Sequence, residues 1–206
     1  EIDIHTLKTI DLVYYNQTFV EGLPINKASL LGIGLTMPGF INTEKGINYT
    51  YMNMADQSLV EYLQQQLAIP VFLENDSTAI ALAEQKFGIA ADEKNVMVVN
   101  LGWGIGLGMI LNDQIFRGNN GLAGEFSHIP LFKNGKLCKC GKHGCLETEA
   151  SLIAVTEIAE RGIFNGQTTS LRQYEIIDAD TIINEAIKGD MFSVKLISEA
   201  AYHVGE

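Results

Sequence analysis

All three cysteines of this chain, Cys138, Cys140 and Cys145, fall within eight residues. The run Cys138-Lys139-Cys140-Gly141-Lys142-His143-Gly144-Cys145 puts three thiols within reach of one ion, and Gly141 and Gly144 let the backbone fold around it. An odd, crowded set of this kind points to metal more than to disulfides. A closed tetrahedral site needs a fourth ligand, and two histidines could supply it: His128, ten positions upstream, and His143 inside the loop. The bland alternative is three buried free thiols. The stretch from Gly118 to Gly144 is otherwise irregular and glycine-rich.

Ahead of that stretch, helix and strand patterns alternate. Apolar residues Ile10, Val13, Tyr14 and Phe19 predict a helix over 8–22, ending before Gly22-Leu23-Pro24. Leu30 to Leu35 reads as a buried strand stopped by Pro38-Gly39, Leu59 to Leu67 as a second helix, and Val71 to Leu73 as a second strand. An alanine-rich helix, Ala79 to Phe87, follows, with Gly88 in the C′ role. This order predicts an α/β fold with parallel pairing. Val96 to Leu101, Met109 to Leu111 and Ile115-Phe116 read as an antiparallel meander with Asn112-Asp113 at a turn. Helices are expected again at 149–161, 180–188 and 192–204.

With 206 residues, 47% hydrophobic and 19% charged, the chain can bury a core of one large or two small domains. It holds no run of eighteen apolar residues and no signal-peptide pattern at its start, so a cytoplasmic protein without a membrane partner is the expectation. A formal charge of −11 opposes extensive contact with nucleic acid. The start shows no first strand of its own and the last helical pattern still runs at Glu206, so a fold truncated at both ends is expected.

Gly102, Gly104, Gly106 and Gly108 recur at every second residue and on a strand would bare one face of backbone. Either a hairpin approaches phosphates there, or strands pack tightly. Asp76, between a strand and a helix, could be an N-cap or a base. Glu125, His128 and Glu147 add polar groups to a stretch otherwise glycine-rich and apolar; singly, each has an ordinary surface reading.

Taken in order, Glu74-Asn75-Asp76, Gly104-Ile105-Gly106, Gly121-Leu122-Ala123-Gly124-Glu125-Phe126-Ser127-His128 and Cys138 to Glu147 resemble the ROK family of bacterial sugar kinases and sugar-responsive repressors. The resemblance spans roughly residues 10 to 206. It implies an actin-like ATPase (ribonuclease H-like) α/β fold of two lobes, the first over 1–74 and the second, with the metal loop, over 75–206. It implies that Asn75, Asp76, Glu125, His128 and Glu147 bind sugar hydroxyls, with Gly39 lining the same cleft. It also makes His128 the fourth ligand of a structural Zn²⁺ held with Cys138, Cys140 and Cys145, and favours a homodimer or homotetramer.

Two departures from the family's kinases bear on function. Nothing before Leu30 matches their Asp-containing phosphate loop, and Trp103 stands where they usually carry Thr, whose hydroxyl lies near the nucleotide phosphates. An indole cannot replace that hydroxyl; alternatively, on a strand, Trp103 would share with Ile105, Leu107 and Met109 the face opposite the glycines and be a core residue. The expectation is therefore the sugar- or sugar-phosphate-binding effector core of a repressor, contacting DNA only through a helix-turn-helix outside these residues. The alternative is a hexose or amino-sugar kinase, with Asp76 as base, ATP and Mg²⁺ as cofactors, and Gly102, Gly104 and Gly106 at the phosphates.

Overall fold

The computed structural model describes residues 6–52, 54, 57–119 and 121–205. The chain forms two compact units, one holding residues up to Val98 with Gly108–Ala123, the other Val99–Leu107 with the chain from Gly124 onward. The division is interleaved, and both sides of Glu74 lie in the first unit.

The first unit contains α1 (Thr9–Gly22), β1 (Ile33–Met37), β2 (Ile41–Asn42), β3 (Ile47–Asn48), α2 (Leu59–Leu67), β4 (Val71–Asn75) and α3 (Asp76–Phe87). β1 and β4 pair in parallel, from Ile33 opposite Val71 to Met37 opposite Asn75, with α2 in the crossover that parallel pairing requires. α2 starts where its sequence directs: Ser58 Oγ accepts the Glu61 amide at 3.0 Å and Glu61 accepts the Ser58 amide at 3.4 Å, a capping box. Leu59 and Leu63, each 1% exposed, face Leu12 and Val13 of α1 and Val71 and Leu73 of β4 in one core. Burying each leucine contributes roughly 2 kcal/mol of transfer free energy.

Three expectations shift here. α1 buries Leu12, Val13 and Val20, while Ile10, Tyr14 and Phe19 of the expected stripe are 58%, 62% and 69% exposed. The helix has apolar residues on several sides, and packing against α2 selects one of them. β1 begins at Ile33 rather than Leu30, because Lys27–Ser29 forms a 3-10 turn in which Asn26 Oδ1 accepts the Ala28 amide at 3.0 Å. Gly88 ends α3 with extended backbone (φ −105°), not the left-handed conformation of a C′ glycine.

β5 (Val96–Leu101) and β6 (Ile105–Leu111) each run from one unit into the other, and β7 (Gln114–Ile115) completes a sheet of order β5-β6-β7. β6 and β7 are antiparallel, joined by Asn112 and Asp113 at φ 53° and 64°, the left-handed pair that a type I′ hairpin uses. The second unit also holds α4 (Leu146–Ala150), α5 (Leu152–Phe164), α6 (Ala179–Ile187) and α7 (Met191–Gly205). The single helix expected over 149–161 is two, because Ser151 is extended (ψ 159°) and its Oγ caps α5 by accepting the Ala154 amide at 3.2 Å. Val155, Ala159, Leu171, Ile182 and Leu196 form this unit's main core, and Ile105, Leu146 and Ala150 a second cluster.

Two carboxylates fasten the 169–174 segment to α6 and to the start of α7. Glu185, 3% exposed, accepts Tyr174 Oη at 2.8 Å, Lys188 Nζ at 2.7 Å and Ser170 Oγ. Asp190 accepts Thr169 Oγ1 and the Ser170 amide at 2.9 Å, and the Ser193 amide at 2.8 Å. Among the described residues, no helix is long and apolar enough to cross a membrane.

Candidate functional site

The cysteine loop closes as a small hairpin. Leu137 and His143 face each other in an antiparallel bridge, the Cys138 amide donates to Lys142 O at 2.7 Å, and the Gly141 amide donates to Cys138 O at 2.9 Å. Gly144 has φ +70°, and a Cβ there would lie 1.8 Å from Phe132 O, so this turn requires glycine. A second bridge, Pro130 to Cys145, returns the chain beside His128.

This folding brings one ligand atom each from His128, Cys138, Cys140 and Cys145 within 4.8 Å of one another. Cys138 Sγ lies 3.5 Å from His128 Nδ1, and Cys140 Sγ 3.6 Å from Cys145 Sγ. Metal–sulfur bonds of about 2.3 Å and metal–nitrogen bonds of about 2.0 to 2.1 Å at tetrahedral angles place ligand atoms roughly 3.5 to 3.8 Å apart. The two pairs at 3.5 and 3.6 Å have that spacing, and the four residues together could hold one metal ion as a Cys3His set. His143, the other candidate, is exposed and has Nδ1 3.4 Å from Gly135 O, outside this group.

The thiols differ in acidity. Burial, reinforced by the Cys140 and Cys138 thiols, pushes Cys145 up to about 12. Burial also raises Cys138. At Cys140 burial acts upward too, but the Lys142 amide and the thiols of Cys138 and Cys145 outweigh it and the net shift is downward.

His128 belongs to a 3-10 turn, Glu125–His128, entered at Gly124 with φ +92°. A Cβ on Gly124 would lie 2.1 Å from Leu107 O, so the turn sits against the backbone of β6. With Nδ1 toward the thiols, His128 turns Nε2 toward Glu125, whose Oε2 is 3.8 Å away. A carboxylate on that side can fix the ring's tautomer and orientation.

Glu147 stands in the first turn of α4, directly after its N-cap Cys145 and Leu146. Its Oε2 accepts the Ile105 amide at 3.4 Å and Ser127 Oγ at 3.3 Å. A Cβ on Gly104 would be 2.9 Å from that oxygen, so the bare backbone of Gly104 makes room for the carboxylate. Gly102 and Gly104 thus belong to a bend between β5 and β6, closed by Gly102 N to Gly104 O at 2.9 Å, and only Gly106 and Gly108 are on the strand. The single glycine face expected of the series does not form; Gly108 packs on α3, where a Cβ would meet Ser77 O at 2.3 Å. Trp103, inside the bend, is 59% exposed and is not the core residue that a strand would have made it.

The remaining expected residues lie in the first unit. Asn75 caps α3, with Oδ1 accepting the Thr78 amide at 3.0 Å, and its Nδ2 donates to Gly39 O at 3.4 Å. Asp76 is the first helical residue and accepts the Ser77 amide at 2.7 Å, so α3 begins at Asp76 rather than Ala79 and the cap falls on its neighbour. Gly39 has φ +92°, and a Cβ there would come within 2.7 Å of Thr50. Two further polar residues escaped the sequence reading: Arg117, ion-paired with Glu74, and Ser127. Charge pairing over 43 positions leaves no sequence signal, and a lone serine gives none without its burial.

The ROK family model matches residues 11–206. A glucokinase from Halalkalibacterium halodurans is 34% identical over 87% of this chain and 57% of its own length. The xylose repressor of Bacillus subtilis is 31% identical over 95% of this chain and 48% of its own. The chain spans about half the length of the curated relatives it matches. Among solved structures, a ROK family transcriptional regulator homologous to the E. coli Mlc protein superposes with a TM-score of 0.81 at 31% identity, over 96% of this chain and 50% of that one. A ROK family glucokinase from Streptomyces griseus, solved with glucose and AMPPNP, gives 0.83 at 26% identity, over 98% and 67%. This chain belongs to the ROK family and has the actin-like α/β fold of its sugar kinases and regulators.

Proposed function

We propose that the chain is the sugar-binding effector core of a ROK transcriptional regulator with a structural Zn²⁺ on His128, Cys138, Cys140 and Cys145. In this reading Asn75, Asp76, Glu125, His128 and Glu147 take the sugar's hydroxyls, with Gly39 at the cleft turn. Carboxylates and amides suit that task because they form paired hydrogen bonds with hydroxyls. The metal orders the loop that joins His128 to Glu147. DNA is contacted through a helix-turn-helix outside these residues, and the protein works as a homodimer or homotetramer in the cytoplasm.

The observation that carries the regulator reading is Trp103, 59% exposed in the bend between Gly102 and Gly104. A core indole would have been neutral toward a nucleotide; an exposed one obstructs phosphates approaching the bend backbone. The xylose repressor and the Mlc homologue support the same choice. The glucokinase at 34% identity supports a second reading, an ATP- and Mg²⁺-dependent hexose or amino-sugar kinase with Asp76 as base and Gly102, Gly104 and Gly106 at the phosphates.

Calorimetric titration of the full-length protein with glucose, xylose and N-acetylglucosamine tests the sugar reading. At least one binds at millimolar concentration or better, and Glu125→Ala weakens it roughly five- to 150-fold, the roughly 1 to 3 kcal/mol of hydroxyls left unpaired. Absence of binding by all three would count against the reading.

A further inference from the structure

Ser127 is 2% exposed, and a hydroxyl so buried is costly unless hydrogen-bonded. Its Oγ donates to Glu147 Oε2 at 3.3 Å, and the Ile105 amide donates to the same oxygen at 3.4 Å. Gly104 leaves the space that this oxygen fills. Two donors from separate elements, the Glu125–His128 turn and the start of β6, thus converge on one oxygen of a carboxylate carried by a third, α4. Oε1 carries no hydrogen bond among the described residues.

From this geometry we infer that Ser127 is a positioning residue for sugar recognition: with the Ile105 amide it locks Glu147 by Oε2, leaving Oε1 as the oxygen that reads a sugar hydroxyl. The inference rests on the sugar reading above and adds a residue and a division of labour to it. A glutamate has about three staggered states at each of its sp³ torsions. Held by one oxygen in a single state, it meets the sugar without first being ordered, and an acceptor fixed in direction discriminates between hydroxyl configurations. Because Ser127 adjoins the metal ligand His128, its effect must be separated from loss of metal.

The test uses the full-length protein, titrated calorimetrically with whichever of glucose, xylose and N-acetylglucosamine binds most tightly. Ser127→Ala weakens binding roughly three- to tenfold with the metal content unchanged, because the carboxylate regains rotamers. Ser127→Cys, close in size but a weak donor, does the same and serves if the alanine variant folds poorly. In a Glu147→Ala background, Ser127→Ala has less than about a twofold further effect, since its partner is gone. A sugar-free arm reads the lock itself: Glu147→Ala speeds hydrogen exchange at the Ile105 amide. Wild-type affinity in both Ser127 variants, an undiminished effect in the Glu147→Ala background, loss of metal with the serine, or unchanged Ile105 exchange would each overturn the inference. Failure of the unmodified protein to bind any of the three sugars would overturn the proposed function, while the exchange arm would still report whether Glu147 is locked.

Discussion

Loading Zn²⁺ at neutral pH should expel protons from the cysteine loop, and the site indicates how many. Burial and the neighbouring thiols push Cys145 up to about 12, and burial raises Cys138, so both keep their protons at pH 7 without a cation. Cys140 is shifted down, chiefly by the Lys142 amide acting against burial, and adds up to one more. Zinc binds thiolate, so each thiol that is protonated beforehand makes apparent affinity about tenfold weaker per unit fall in pH. Two to three displaced protons give roughly a 100- to 1,000-fold weaker apparent Kd at pH 7 than at pH 8. Competition against a chromophoric chelator of known proton affinity measures that slope. Calorimetry in two buffers of different ionisation enthalpy counts the protons directly. Release of fewer than about one proton, or a change below about tenfold, would refute the reasoning that the shielded thiols of Cys138 and Cys145 surrender their protons only to a cation.

Cys140→Ala should leave less than half an equivalent of zinc in protein purified without chelator and raise proteolytic cleavage within 118–144, as limited proteolysis with metal analysis would show. Gly124→Ala should destabilise the second unit by about 1 to 3 kcal/mol, because the left-handed φ and the approach to Leu107 O both oppose a side chain; denaturant unfolding checks it. Glu185 is held at about 2, first by Lys188 and then by Ser170 and Tyr174, and Asp190 also at about 2, where the amides of Ser193 and Ser170 overcome burial. Folded values below the unfolded ones mean this stabilisation is full above about pH 5 and lost as pH falls toward 2. Glu185→Gln should therefore lower Tm at pH 7 and shrink the Tm difference between pH 7 and pH 3; an unchanged difference would contradict it.

The parts of this molecule legible in its sequence are those set by local chemistry. α2 runs from Leu59 to Leu67 as its pattern says, because Ser58 and Glu61 fix its start without help from the rest of the fold. The clustering of the three cysteines was legible for a similar reason, since their spacing alone brings the thiols together; the residues by themselves leave His128 and His143 both open, the family resemblance favours His128, and the fold groups His128 with the thiols while His143 Nδ1 lies against Gly135 O. What escaped depends on partners distant in sequence. The buried face of α1 is decided by α2, and the fate of Gly104 by a glutamate 43 positions on. Alternation of glycines suggested one strand face, yet a bend at Gly102–Gly104 interrupts it and puts Trp103 outside. Ser127 matters only through its burial against Glu147, which no pattern encodes.

The regulator reading stands most directly on phosphoryl transfer. Full-length protein at saturating sugar, with ATP and Mg²⁺, is assayed in a coupled system for sugar phosphate, with Trp103→Thr beside it. The account predicts no turnover above background by the unmodified protein, because the exposed indole misplaces the nucleotide at the bend. Turnover of about 1 to 100 per second, the ordinary range for kinases, would contradict it and leave the kinase reading with Asp76 as base in its place.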